Sequence, residues 1–364
     1  PKSGARNGRI QNPKSPDEVV EAVRAHGRLV PRGGGSKPAL SAPPPGAHTL
    51  DLSALAGMLE YEPAEYTFTA LTGTPVSVVE LLLAEQGQYL PFDPILVERG
   101  ATLGGTVAAG ASGPGRLRYG GVRDFILGVR FVDGTGTLAR GGGRVVKNAA
   151  GFDLPKLMTG SLGQLGVLIE LTFKVFPKPE AFATLQVDFP SLADAVGALV
   201  KVAASTLELE TADLAPPGRL SLRVGGRASV LPQRIARLRE FIGEGKQLAA
   251  PDEQEQWRQA REMTWVPVGW ALVKIPLTPR KIMLLEALFD RYECRRRYSV
   301  GGNVLWLAWP HPTQELDALL KAQNLAALVL SGATVSPLIG QPLDNTFARR
   351  VKAALDPAGR FVTR

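Results

Sequence analysis

Pro31-Arg32-Gly33-Gly34-Gly35-Ser36-Lys37 is the stretch from which the rest of the chain is read, and its companion is Gly100-Ala101-Thr102-Leu103-Gly104-Gly105-Thr106-Val107-Ala108-Ala109-Gly110-Ala111-Ser112-Gly113. Glycine runs admit positive φ and let successive N–H groups converge on one point, forming a nest for an anion. Arg32 and Lys37 bracket the first run with positive charge, and the second continues through small residues suited to a closely approached backbone. A lone Gly-Gly-Gly run is common loop punctuation and reads equally as a surface turn. Two runs flanked in this way read as two walls of a diphosphate cradle.

The elements around these runs support that reading. A helix pattern opens at Ser15, with Pro16 in the first helical position and Asp17 and Glu18 in the first turn, and ends at Gly27. Leu29-Val30 then makes a short strand that delivers the chain into the first run. Strands are expected over 49–52, 66–71, 125–133 and 167–175, and helices over 75–86 and 103–109. This mixture of helices and hairpins rules against a doubly wound parallel sheet. Gly104-Gly105 and Gly110 to Gly115 mimic a Rossmann fingerprint, but no long βαβ unit with a ribose-binding acid follows, which disfavours NAD.

Pro177-Lys178-Pro179-Glu180 is the strongest boundary signal. Beyond it, strands near 183–189, 220–224, 270–274 and 304–309 alternate with helices near 192–204, 232–242, 278–290 and 313–323, a pattern that suits an antiparallel sheet with helices on one face. Three parts are expected: 1–178, 179–340 and a C-terminal segment 341–364.

A length of 364 residues with 45% hydrophobic and 21% charged residues allows two ordinary globular cores. The net charge of +8 does not mark a nucleic-acid surface, because the basic residues are dispersed and the densest run, Arg295-Arg296-Arg297, lacks interleaved aromatics. One cysteine, Cys294, excludes internal disulfides and a cysteine-ligated iron–sulfur cluster within the chain. With no apolar stretch of membrane-spanning length and no signal-peptide core, the expected location is cytoplasmic, with docking on a membrane-associated complex left open.

The two glycine runs are followed by a third block, Lys147-Asn148-Ala149-Ala150-Gly151-Phe152-Asp153-Leu154, leading into Gly160-Ser161-Leu162-Gly163-Gln164-Leu165-Gly166-Val167-Leu168-Ile169. In this order the three resemble the FAD-binding domain of the vanillyl-alcohol oxidase, or p-cresol methylhydroxylase, type. The segment from Gly143 to Gly163 most resembles the FAD-binding E subunits of bacterial glycolate oxidases. The resemblance is dense over the first half of the chain and weak at Leu355 to Phe361. It implies an α+β fold: a two-part FAD-binding domain with a smaller antiparallel-sheet cap to which the C-terminal segment adds a return to the first domain. It also implies that Arg32, Gly33, Gly34, Gly35, Ser36 and Lys37 hold one side of the FAD diphosphate. Gly100, Ala101, Thr102, Gly104, Gly105, Ala108, Ala109, Gly110, Ser112 and Gly113 would hold the other, and Gly160, Gly163, Gly166, Val167, Leu168 and Ile169 would line adenosine and flavin. Relatives with covalent flavin carry a histidine where this chain has Ser36, and a cysteine used by others near Arg99 is missing, so the FAD is expected to be noncovalent.

Among the three histidines, His26, His48 and His311, only His311 lies in the later half, and no metal-binding constellation exists in the sequence. A 2-hydroxy acid needs a cation for its carboxylate and a base near its hydroxyl, which makes Arg297, Tyr298 and His311 weak catalytic candidates. An arginine run on a solvated edge strand is the plainer alternative, and the catalytic residues stay unknown. The resemblance implies a subunit of a 2-hydroxy-acid, glycolate-type oxidoreductase, partnered by a homologous catalytic flavoprotein subunit and an iron–sulfur subunit. Two other readings stay open: a non-catalytic nucleotide-binding structural subunit, and a self-sufficient FAD-dependent dehydrogenase.

Overall fold

The computed structural model describes residues 10–143, 152–342 and 346–364. Lys147 to Gly151 of the third sequence block therefore lie outside the described residues, whereas Phe152, Asp153 and Leu154 are described. The chain opens with β1 (Ile10–Gln11), α1 (Pro16–Ala25), β2 (Leu29–Arg32), α2 (Pro38–Ser41) and β3 (His48–Asp51). The β strands form a small parallel sheet in the order β1-β3-β2. Ser15 caps α1 through its hydroxyl, which accepts from the N–H of Glu18 at 3.3 Å. Val19 and Val23 on the inner face of α1 pack with Leu29, Leu50 and Phe361.

Next come β4 (Met58–Glu62), β5 (Thr67–Leu71), α3 (Val76–Glu85), β6 (Gln88–Tyr89) and α4 (Leu103–Ala109). The short helices α5 (Arg116–Tyr119) and α6 (Val122–Phe125) lead into β7 (Ile126–Val132) and β8 (Leu138–Gly142), followed by α7 (Leu154–Met158), β9 (Val167–Lys174) and β10 (Phe176–Pro177). Five of these strands make an antiparallel sheet ordered β4-β5-β9-β7-β8. A register shift where Arg130 and Phe131 of β7 face Glu170 and Leu168 breaks the strict alternation of β9 and lets this sheet serve two cores. Leu168, Leu171 and Phe173 join a cluster with α3 and α4, whereas Val167 and Ile169 face the parallel sheet and α1.

The later strands are β11 (Ala181–Asp188), β12 (Thr211–Ala215), β13 (Arg219–Gly226), β14 (Lys246–Gln247), β15 (Ala271–Pro276), β16 (Arg295–Ser299), β17 (Val304–Trp309), β18 (Ala326–Ser331) and β19 (Leu338–Gly340). They form one nine-stranded sheet in which every pairing is antiparallel. One face is covered by α8 (Leu192–Ala203), α9 (Leu231–Ile242), α11 (Ile282–Phe289) and α12 (Thr313–Ala322), which bury Leu199, Leu238, Phe289 and Leu320 against Leu185, Leu222, Leu307 and Val329. The other face carries α10 (Ala250–Glu262) and meets the first half of the chain, where Trp306, Leu272 and Leu330 pack against Ile95, Leu96, Ala109 and Ala111.

After α13 (Thr346–Leu355), Asp356 accepts the N–H groups of Arg360 and Phe361, both at 2.8 Å. That turn sets Phe361 beside Leu29 in a parallel bridge, so the chain ends against β2. The fold is α+β, as the sequence leads one to expect, with a parallel three-stranded element the sequence pattern did not announce.

Candidate cofactor site

Arg32 is the last residue of β2, and the chain then leaves the sheet through Gly33 to Lys37 before Pro38 starts α2. Gly35 sits at φ +74°, which a side chain would strain, and the Arg32 guanidinium lies against it. No acceptor among the described residues takes the N–H groups of Gly33, Gly34, Gly35, Ser36 or Lys37. Five consecutive donors at the edge of a cleft suit an anion, because donors left without a partner cost stability.

The second run does different work. The N–H of Leu103 is taken by Thr74 O at 3.0 Å, that of Gly104 by Thr72 O at 2.8 Å, and that of Gly105 by the Thr102 hydroxyl at 3.2 Å. Its glycines permit contact between backbones instead. A Cβ on Gly33 would run into the Thr102 hydroxyl, one on Gly34 into the Gly100 carbonyl, and one on Gly104 into the Thr72 side chain. Gly105 differs again: only Thr102 Oγ1, at 3.2 Å, lies near the position of its missing Cβ.

Between the runs lies a cleft with about 690 Å³ of empty space. Among the residues singled out in the sequence, Arg32, Gly33, Gly34, Gly35, Ser36, Lys37, Thr102, Gly104, Gly105, Ala108, Ala109, Gly163, Gly166 and Leu168 line it. Gly100, Ala101, Gly110, Ser112, Gly113, Gly160, Val167 and Ile169 do not. Gly110, at φ +57°, ends α4 and lies beside Gly160, whose N–H bonds Val107 O at 2.9 Å. Ser112 and Gly113 are engaged by Val122 and Asp93. Val167 and Ile169 point to the other side of β9 from Leu168. Leu40, Ser41, Leu52, Thr72 and Leu162 also line the cleft, and as ordinary apolar or hydroxyl residues they carried no signal in the sequence.

Besides Arg32, Lys37 brings a buried charge to this cleft. It is only 6% exposed and its ammonium donates to Ser36 Oγ at 3.3 Å. Burial lowers its pKa to about 8, opposed by the carboxylate of Glu262. Glu262 itself is buried at the end of α10 and accepts the N–H groups of Val97 and Glu98 at 3.2 and 3.0 Å. Nearby, Arg261 pairs with Glu80 at 2.9 Å and Arg258 with Glu98 at 2.8 Å, so the later half of the chain grips the segment that leads into the second run. The unclaimed donors, the buried cation and the open side of Gly105 fit a dinucleotide diphosphate.

Strand alternation sorts the weak catalytic candidates. Tyr298, on β16, turns to the helix-covered face, where its hydroxyl donates to Glu286 at 2.6 Å. His311 is exposed just beyond β17, edge-on to Tyr292 and Trp309 on that same outer side. Arg297 turns to the opposite face, toward α10, with its guanidinium 5.7 Å from the Trp265 ring. The three are therefore not brought together. Among the described residues no cluster of three or more His, Cys, Asp or Glu is placed to hold a metal, and no helix is long and apolar enough to cross a membrane.

A family model described as an FAD binding domain matches residues 9–142. The chain is 37% identical over 351 residues to glycolate oxidase subunit GlcE of Escherichia coli, an alignment covering 95% of this chain and 94% of that relative. It is 31% identical over 178 residues to glycolate oxidase subunit GlcD of Bacillus subtilis, covering 48% of this chain and 38% of that relative. A D-lactate dehydrogenase of Archaeoglobus fulgidus is 32% identical over 152 residues, 42% of this chain and 34% of that relative. Among solved structures, an alkyldihydroxyacetonephosphate synthase superposes with a TM-score of 0.72 at 19% identity, covering 98% of this chain and 77% of that one, a likeness of fold. With its FAD binding domain and its near full-length match, the chain belongs to the glycolate oxidase subunit GlcE family of FAD-binding oxidoreductases.

Proposed function

We propose that this chain is the FAD-carrying subunit of a glycolate-type 2-hydroxy-acid oxidoreductase, working beside a homologous flavoprotein subunit of the GlcD kind and an iron–sulfur subunit in the cytoplasm. The observation that carries the reading is the loop from Gly33 to Lys37, whose five unclaimed N–H groups line a cleft inside a chain that matches GlcE along nearly its whole length. Bound FAD supplies a two-electron acceptor. The N–H groups of Gly33 to Lys37 hold its diphosphate, the Lys37 ammonium offsets the phosphate charge, and Gly105 leaves room for it. Ala108, Ala109, Gly163, Gly166 and Leu168 line the remainder of the dinucleotide. In this reading residues 1–178 hold FAD, 179–340 form the cap, and 341–364 return to the first part.

Because Ser36 stands at the position of the attaching histidine, the FAD is held without a covalent bond. Acid precipitation of the loaded protein is expected to release all flavin into the supernatant, and colour kept by the washed pellet would refute this. The subunit reading is tested by glycolate turnover with an artificial electron acceptor. The isolated chain is expected to be slow, with activity restored on adding the partner flavoprotein and the iron–sulfur subunit. Rapid turnover by the chain alone would make it a self-sufficient dehydrogenase.

A further inference from the structure

The helices that cover the nine-stranded sheet do not all treat solvent alike. At one end of the layer α9 exposes Gln233, Arg237 and Glu240, and at the other α12 exposes Gln314, Glu315 and Lys321, as surface helices do. Between them α8 and α11 pack together, and their outer sides are apolar. The only charged side chain of α11, Glu286, is turned inward, to Arg296 at 2.7 Å and to the Tyr298 hydroxyl at 2.6 Å. Met283, Leu284 and Ala287 are left facing out, beside Ala193, Gly197 and Val200 of α8. Leu284 and Val200 are 49% and 47% exposed. Gly302, at φ +82°, ties the two helices into one surface: Leu199 of α8 and Ile282 of α11 each lie 3.1 Å from the position of its missing Cβ. A helix that is apolar on its inner and outer sides alike belongs in an interior, so this face is built to be covered.

The rim of the face says by what. Lys201, next to Val200, and Arg280 and Arg291, before and after α11, are exposed, and no carboxylate pairs with them among the described residues. Of the acids nearby, Asp194 is bonded by Ser191 and Asp290 is paired with Arg296. Two copies of this chain meeting face to face would set the cations against one another. The face carries no aromatic side chain, and half of its six exposed residues are alanine or glycine, which suits the close approach of another helix rather than a layer of lipid headgroups. The sheet and its helix layer, roughly 20 Å thick together, separate this face from the side that packs on Ala109 at the cofactor cleft. That position suits a contact for assembly and not one for receiving electrons.

We propose that the α8–α11 face docks the homologous flavoprotein subunit, which meets it with an apolar helix flanked by carboxylates. The identity of this occupant rests on the reading of the chain as one subunit of a glycolate-type assembly.

The test measures binding of the FAD-loaded chain to the purified homologous flavoprotein subunit by light scattering and surface-binding kinetics. Separate arms use the iron–sulfur subunit, vesicles of phosphatidylglycerol, and the chain alone. The wild-type chain is expected to bind the flavoprotein subunit. Val200→Asp and Leu284→Asp together are expected to weaken that binding by about tenfold or more, with flavin content and Tm unchanged. Arg280→Glu and Arg291→Glu together, which disturb no packing, are expected to slow association severalfold and to flatten its dependence on salt. If the first pair of changes prevents folding, the charge-reversed chain decides. Unchanged binding in either folded variant overturns the proposal, and so does a loss that falls on self-association, on the iron–sulfur subunit or on vesicles instead. A wild-type chain that binds neither subunit refutes the subunit reading and this proposal with it. A wild-type chain that binds the flavoprotein subunit no better than its variants do refutes the docking face alone.

Discussion

The loops at Gly33–Lys37 and Gly100–Gly113 are both rich in glycine and look alike on paper, yet the first presents five N–H groups to an open cleft while the second has the N–H groups of Leu103, Gly104 and Gly105 tied to Thr74, Thr72 and Thr102. In the first, the missing side chains expose donors. In the second, they let two backbones and a helix start pack without space between them. Glycine content therefore announces that something comes close, and only the hydrogen-bond partners say whether it is a ligand or the protein itself.

The largest expected effect comes from the point where the two loops touch. Gly34→Val places its Cβ on the Gly100 carbonyl, so it should abolish FAD binding and cost about 3 kcal/mol of stability by overpacking, read as lost flavin absorbance and a lowered Tm. A folded, flavin-bound Gly34→Val protein would break the comparison.

Lys37→Met comes next. The structure buries this lysine in the cleft, so its loss should weaken FAD by about tenfold or more while the apoprotein stays folded. Fluorescence titration with FAD measures this directly.

The pH dependence follows from the same residue. Unfolded, this ammonium titrates at 10.5; folded, at about 8. Between those values the unfolded chain holds more protons, so apoprotein stability should rise with pH across the window. Lys274, also lowered from 10.5 to about 8 by burial, adds in the same direction. FAD affinity should fall over that window as Lys37 loses the charge that faces phosphate. Parallel Tm and FAD-binding curves from pH 7 to 10 check the opposite signs; a flat affinity profile would remove Lys37 from the diphosphate site.

The smallest effect on the fold is expected at Gly105→Ala. Its Cβ meets only the Thr102 hydroxyl, and alanine favours a helix by up to about 1 kcal/mol, so stability should hold or rise. Affinity for FAD should nevertheless drop, because the methyl group projects into the cleft. Unchanged affinity with unchanged Tm would place the ligand elsewhere.

The parts of the molecule that could be read beforehand share one property: their signal is local. Ser15-Pro16-Asp17 starts α1, the small residues from Leu103 to Ala109 make α4, and the apolar runs of β7 and β9 mark the core of the five-stranded sheet. Helix α10 escaped notice because its buried positions include Glu253 and Glu262 alongside Trp257 and Ala260, leaving little apolar stripe to detect. Strand β16 offered only an arginine run, and β12 carries Asp213 where an apolar residue would have marked it. In the cleft, Arg32 and Lys37 could be suspected from their charge. Leu52 and Thr72 could not, since their place on its wall depends on contacts between segments distant in the chain.

The grip of Glu262 on the N–H groups of Val97 and Glu98 sets an order of events during synthesis. Every cleft-lining glycine emerges from the ribosome well before the carboxylate that steadies the segment leading to Gly100. Cofactor capture thus becomes a late step in the birth of the polypeptide, a checkpoint that rewards completion of α10. Nascent chains stalled before residue 262 are expected to retain less flavin than chains stalled beyond α12, and equal retention would show that the cradle matures without its distant carboxylate.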